Sequence, residues 1–239
     1  MFPVFPTARL ELIFHFGDPF MVNAAEGEPL RPLPPAALLG PRSRICWQSA
    51  GPRIDWFMVQ LTALGCRRLL GLSFAEAWHD EIALSDLWGP AAEALHDRLR
   101  AAGSFEARVA IAGATLRTRA GDEALDDRLS QLGAIARAGR IRSVSALVNG
   151  LGVGPRRLHQ RFVADYGISP KGFLSLMRFG RQLAARHPLA APDMDEPEYA
   201  DDSHAIREFR RFTGLTPGAY VRAKRHDRLI FTGAPILLD

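Results

Sequence analysis

Leu158-His159-Gln160-Arg161-Phe162, followed by Gly167-Ile168-Ser169-Pro170 and Phe173, decides how the fold is read, because the chain says it twice. At an offset of 47 residues Leu158 aligns with Ala205, Phe162 with Phe209, Gly167 with Gly214, Ile168 with Leu215, Ser169 with Thr216, Pro170 with Pro217 and Phe173 with Tyr220. Chance does not readily produce that many matches in one register. Each copy spells a short helix, a glycine stop, a small hydroxyl residue before a helix-opening proline, and a second helix held by an aromatic anchor. The first copy also shows its upstream half. Ser143 can cap a helix through Asn149, Gly150, Gly152 and Gly154 supply a tight turn, and Pro155 opens the next helix. This is the grammar of a helix-turn-helix.

At 100° per residue, Leu158 and Phe162 face the core, so Arg156 and Gln160 point away from it with Arg157 and His159 on the flanks. Arginine offers a fork for guanine O6 and N7, and glutamine can pair with adenine N6 and N7. An ordinary solvated face is the alternative for this helix taken alone. In the second copy Ala205, Phe209 and Phe212 turn inward and Ser203, Arg207, Arg210 and Arg211 outward, with His204 beside them; this more cationic face suits phosphates as well as bases. Arg207 stands at the repeat position of Gln160.

Charge follows the same division. Residues 1–120 hold 12 basic and 12 acidic side chains, residues 121–239 hold 18 and 14, so the whole net charge of +4 lies in the second half. A basic half beside a neutral one suits a polyanion-binding module joined to something else. No cationic leader precedes an apolar segment and no run of about 18 apolar residues could span a bilayer, so the sequence reads as cytoplasmic with no membrane partner. Cys46 and Cys66 read as buried or spare thiols, and the scattered histidines give no metal site. Without a glycine-rich phosphate loop, a Gly-x-Ser-x-Gly elbow or an activated cysteine, the chain reads as no enzyme, with no cofactor.

The first half has a different texture. Leu10, Leu12, Phe14 and Phe16 alternate with Glu11, Ile13 and His15, the period of a strand, closed by Gly17-Asp18-Pro19. Glu26 to Pro41 is proline-rich and is expected to be loop. Ile45 to Trp47 and Ile54 to Leu61 read as strands, and Leu69 to Trp78 as a helix. Pro90 opens a helix with Ala91, Leu95 and Leu99 on one face, and Ser104 caps another that runs to Arg119. Asp122 to Ala138 places Leu125, Leu129, Leu132 and Ala136 on one stripe and reads as a core helix opening the second domain. Trp47, Trp56, Trp78 and Trp88 fit a core better than a ligand site. The resulting expectation is an α+β chain: residues 1–120 a small β-containing domain with helices, 121–226 an all-α double helix-turn-helix domain, 227–239 a tail.

Ala200-Asp201-Asp202-Ser203-His204, then Arg207-Glu208-Phe209-Arg210-Arg211-Phe212-Thr213-Gly214-Leu215-Thr216-Pro217-Gly218-Ala219-Tyr220, is a long and specific pattern. Together with Phe162, Gly167, Ser169-Pro170 and Arg178, it makes the region from about Asp122 to Lys224 resemble the AraC/XylS-type transcriptional regulators. The resemblance implies two recognition helices, about 155–165 and 203–212, joined by a long helix from Gly172 to Arg186 and set into neighbouring major grooves of double-stranded DNA. It makes Arg156, His159 and Gln160 base-reading in the first unit, and Ser203 and Arg207 in the second. The chain departs from the pattern where the second unit should have its supporting helix. Pro188, Pro192 and Pro197 stand there among Asp193, Asp195, Glu196 and Glu198, so that helix is expected to be short, displaced or missing.

The N-terminal half resembles, through softer motifs, the sensor-like domain that precedes this module in some members: Leu10 to Phe14 with Gly17-Asp18, then His79-Asp80-Glu81 and Asp86 to Pro90. It starts late, as though its first strands were absent. Control of a transcription factor by a small-molecule effector, or by homodimerisation through this domain, is what the resemblance implies. The alternative is an interaction or ligand-binding protein whose degenerate second unit no longer reads DNA.

Overall fold

Strand β2 (Leu10–His15) is the spine of the N-terminal half, because both of its faces are covered: five of its six residues are buried and Glu11 is half-buried. The computed structural model describes residues 2–23, 28–79, 81–120, 141–185 and 202–224, strand-rich at first and helical later, an α+β chain. β2 lies inside an antiparallel sheet ordered β7 (Trp56–Leu61), β2, β5 (Ala36–Leu39), β8 (Glu81–Ala83). A second antiparallel sheet runs β1 (Phe2–Val4), β6 (Cys46–Ser49), β3 (Met21–Val22), β4 (Arg31–Pro32). Because successive residues face opposite ways, Leu10, Leu12 and Phe14 sit opposite Leu61, Val59 and Phe57 and face the helices. Ile13, paired with Met58 and Ala37, faces Phe20, Val22, Leu33 and Cys46 in a smaller second core. Phe16 falls just past the strand.

Two expectations fail here for identifiable reasons. The proline-rich stretch is not all loop, since it contributes β4 and β5. Its prolines stay out of the ladder's interior: Pro32 ends an edge strand, and Ala36–Leu39 is a proline-free apolar run between Pro35 and Pro41. The helix expected over Leu69–Trp78 lies earlier, as α1 (Ala63–Leu70). Thr62 caps it by accepting the Gly65 N–H at 3.0 Å, and Gly71 stops it. Residues 74–79 form turns. Ser73 and Glu76 make the reciprocal hydrogen bonds of a capping box, but no helix follows.

Next come α2 (Leu84–Trp88), which with β8 the sequence did not announce, α3 (Pro90–Ala101) and α4 (Phe105–Ala120). The face that α3 buries is Ala92, Leu95 and Leu99; Ala91 is exposed, so the apolar stripe starts one residue later than expected. Ser104 does cap α4, accepting the Ala107 N–H at 3.1 Å. The tryptophan indoles serve packing: Trp88 Nε1 donates to the Leu69 carbonyl at 2.9 Å, and Trp78 Nε1 to the Tyr166 carbonyl. Cys46 and Cys66 are free and buried, and burial pushes the Cys66 thiol up to about 12, where it stays protonated and unreactive.

The helical half consists of α5 (Val144–Leu151), α6 (Pro155–Tyr166), α7 (Pro170–Ala185), α8 (Asp202–Thr213) and α9 (Pro217–Lys224). One apolar cluster runs from Phe14 and Leu38 through Phe74 to Tyr166, Phe173, Phe209 and Tyr220, so the halves share a core. The leucine stripe of Asp122 to Ala138, the proline-rich acidic segment around Pro188 to Glu198 and the tail from 227 lie outside the described residues. The expected boundary after residue 120 falls where a described stretch ends.

Candidate nucleic-acid interface

The first unit is built by its caps. Ser143 accepts the Ala146 N–H at 3.2 Å to start α5, which runs to Leu151, slightly beyond the expected Asn149. Pro155 begins α6 at its first turn, and Leu158, Phe162 and Tyr166 are its buried side. Phe162, Tyr166 and Phe173 form a tight aromatic triangle with centroids 4.9–5.5 Å apart. That triangle fixes the rotation of α6 about its axis. Arg156, Arg157, His159 and Gln160 are accordingly all exposed.

The repeat persists in individual hydrogen bonds. The Gly167 N–H donates to the Val163 carbonyl, and the Gly214 N–H to that of Arg210. Ser169 Oγ accepts the Gly172 N–H at 3.1 Å, and Thr216 Oγ1 the Ala219 N–H at 3.2 Å. Both glycines are left-handed, with φ of 69° and 71°. In the second unit Phe209 packs 5.7 Å from Phe179 and 5.5 Å from Tyr220, and Phe212 lies 4.8 Å from Phe179. Arg207, Arg210 and Arg211 are exposed, with the Arg211 guanidinium over the Phe212 ring. Ser203, His204 and Ala205 belong to α8, but their side chains lie outside the described ones.

Between the units runs α7, 16 residues starting two positions before the expected Gly172, or about 24 Å at 1.5 Å per residue. It carries a feature the sequence reading missed. Glu208 of α8 is buried against α7, accepting from Ser175 Oγ and from Arg178 Nε at 3.0 Å. A carboxylate one residue before an inward phenylalanine, opposite an arginine on a neighbouring amphipathic helix, was the available signal. Two exposed apolar side chains, Val163 and Ile206, also went unnoticed on the outer faces. Position 206 is the repeat counterpart of His159, which could have flagged it.

The C-terminal end of α6 is pressed onto the N-terminal half. Arg67 pairs with Asp165 at 2.7 Å, Trp78 donates to the Tyr166 carbonyl, and Phe74 lies 5.4 Å from the Tyr166 ring. Phe5 reaches Phe179 at 6.4 Å and Tyr220 at 5.5 Å. The contacts to Asp165 and Tyr166 engage the end of α6 away from Arg156 and Gln160, and those of Phe5 engage α7 and α9. In the N-terminal half an open groove of about 350 Å³ is lined by Pro35 and Ala36 on one flank and by Ala92, His96 and Asp97 of α3 on the other. Among the described residues no cluster of metal-ligating side chains occurs, and no helix is long and apolar enough to cross a membrane.

What defines the class of this chain is the doubled helix-turn-helix pattern with polar and cationic outer faces. No family model and no curated protein matches the sequence. Among solved structures, a variant of apo ToxT from Vibrio cholerae is similar at 8% identity, with a TM-score of 0.47, over 92% of this chain and 90% of that one.

Proposed function

We propose that the chain is a sequence-specific, DNA-binding transcriptional regulator of the AraC/XylS type, working in the cytoplasm, with α6 and α8 placed in major grooves of double-stranded DNA. The observation that carries the reading is that both copies bury the matching aromatic pairs, Phe162 with Phe173 and Phe209 with Tyr220, and leave the matching outer positions His159 and Ile206, Gln160 and Arg207 exposed. Arg156, Arg157, His159 and Gln160 are free to read bases from α6. Arg207, Arg210 and Arg211 supply the cationic face of α8, with Ser203 and His204 at its first turn. The first unit has its full support in α5, so specificity rests mostly there. Residues 1–120 serve as the regulatory part, through an effector or a second copy, and 121–226 as the DNA-binding part.

Fluorescence titration of the full chain against random and selected duplexes tests this. Binding at low salt is expected, falling steeply as salt rises because arginines displace counterions from phosphates. Arg156→Ala and Gln160→Ala should each relax preference at one or two positions, by about 1–3 kcal/mol. Arg210→Ala should weaken all sequences alike and lower the salt slope by about one. Folded protein that binds no duplex at low salt would overturn the proposal.

A further inference from the structure

The outer face of α8 carries an apolar side chain that phosphate binding does not use. Ile206 is 43% exposed, while the other exposed side chains described on that helix are Arg207, Arg210 and Arg211. A single exposed isoleucine is ordinary on a protein surface. Its register is what makes this one informative. Residues 203, 206, 207 and 210 form one stripe at helical spacing, and this stripe is the repeat counterpart of Arg156, His159, Gln160 and Val163. Ile206 therefore stands where His159 stands in the first unit, in the first half of the helix, the part that meets base edges in such motifs. The inward side of α8 is already filled by Phe209 and Phe212, so Ile206 has no place in the core.

The surroundings select the occupant. Three arginines on the same helix favour a polyanion, and they would be costly to desolvate against a neutral apolar protein surface. A β-branched hydrocarbon at the edge of their face can neither hold a phosphate nor donate to a base. The feature it complements in a major groove is the 5-methyl group of thymine, the one apolar mark that groove displays. We propose that Ile206 reads a thymine by apolar contact with its 5-methyl group in the half-site bound by α8. The inference rests on the DNA-binding reading above and adds to it a residue and a base.

The test uses a duplex selected by the full chain from a random pool, in which each thymine is replaced singly by uracil, a change that removes only the methyl. For the wild-type chain one such replacement in the α8 half-site should weaken binding about fourfold, the worth of one buried methyl. Ile206→Ala should bind the thymine and uracil forms of that position equally while responding as wild type elsewhere, and Ile206→Val should keep the discrimination. A folded Ile206→Ala chain whose response to every replacement matches wild type overturns the inference, as does an α8 half-site selected without thymine. A wild-type chain that binds no duplex removes the DNA-binding reading itself, a result distinct from binding without thymine discrimination.

Discussion

Two glycines at the same place in the repeat give different answers to one substitution. Gly167 and Gly214 are both left-handed, so alanine at either costs about 1 kcal/mol in backbone strain. At Gly214 an added Cβ meets nothing within 4 Å, whereas at Gly167 it would collide with the Trp78 ring and lie 3.0 Å from Ala75 Cα. Gly214→Ala should therefore lose about 1 kcal/mol in denaturant unfolding and Gly167→Ala about 3 kcal/mol or more. Equal losses would mean that the Trp78 contact is soft. His15 offers a second test at this scale. Burial, with His96 adding to it, lowers its pKa from 6.5 to about 4. The unfolded chain thus takes up the proton first as pH falls, and stability contributed by keeping the ring neutral is intact above about 6.5 and lost progressively from there toward about 4. His15→Leu should flatten the Tm profile across that window, and an unchanged slope would assign the acid sensitivity to other groups.

The pairing of α7 with α8 depends on the buried Glu208. Its carboxylate answers Arg178 and Ser175, and Arg178 keeps some water, so Glu208→Ala should cost about 3 kcal/mol, the lower end for breaking a buried pair. Replacing both Glu208 and Arg178 with methionine should recover most of that loss, and a double variant as unstable as the single one would show that the pair contributes attraction rather than relief of a stranded charge. The elements involved were legible because their ends are written locally: Ser143, Ser169 and Thr216 cap by their own hydroxyls, and the glycines stop what precedes them. Leu158, Phe162, Phe209 and Phe212 gave the correct rotation of α6 and α8. Elsewhere local signals misled. The helix expected over Leu69–Trp78 lies at Ala63–Leu70 and residues 74–79 are turns, and Ala36–Leu39 hid between prolines although it is an inner strand. Helical spacing puts Ile206 on the outer stripe, but the pairing of Glu208 with Ser175 and Arg178 depends on which neighbour α8 meets, which periodicity does not encode.

At the scale of the whole molecule, the helical half is not a bead on a string. The end of α6 is held by Trp78, Phe74 and Arg67, and α7 and α9 by Phe5, all from the first 80 residues. The exposed Arg67 and Asp165 pair contributes at most about 1 kcal/mol, so the apolar and aromatic contacts carry the coupling. A shared core of this kind makes unfolding of one half expose apolar surface on the other. The full chain should therefore unfold in one calorimetric transition with coincident fluorescence and circular dichroism changes. Phe5→Ala with Trp78→Ala removes two of the three aromatic anchors without touching the outer faces of α6 or α8. That double variant should separate the transition into two, with limited proteolysis releasing a helical fragment that still binds the selected duplex. A single transition persisting in the double variant would place the coupling in other contacts, and loss of duplex binding by a folded fragment would mean that the N-terminal half helps shape the reading surface.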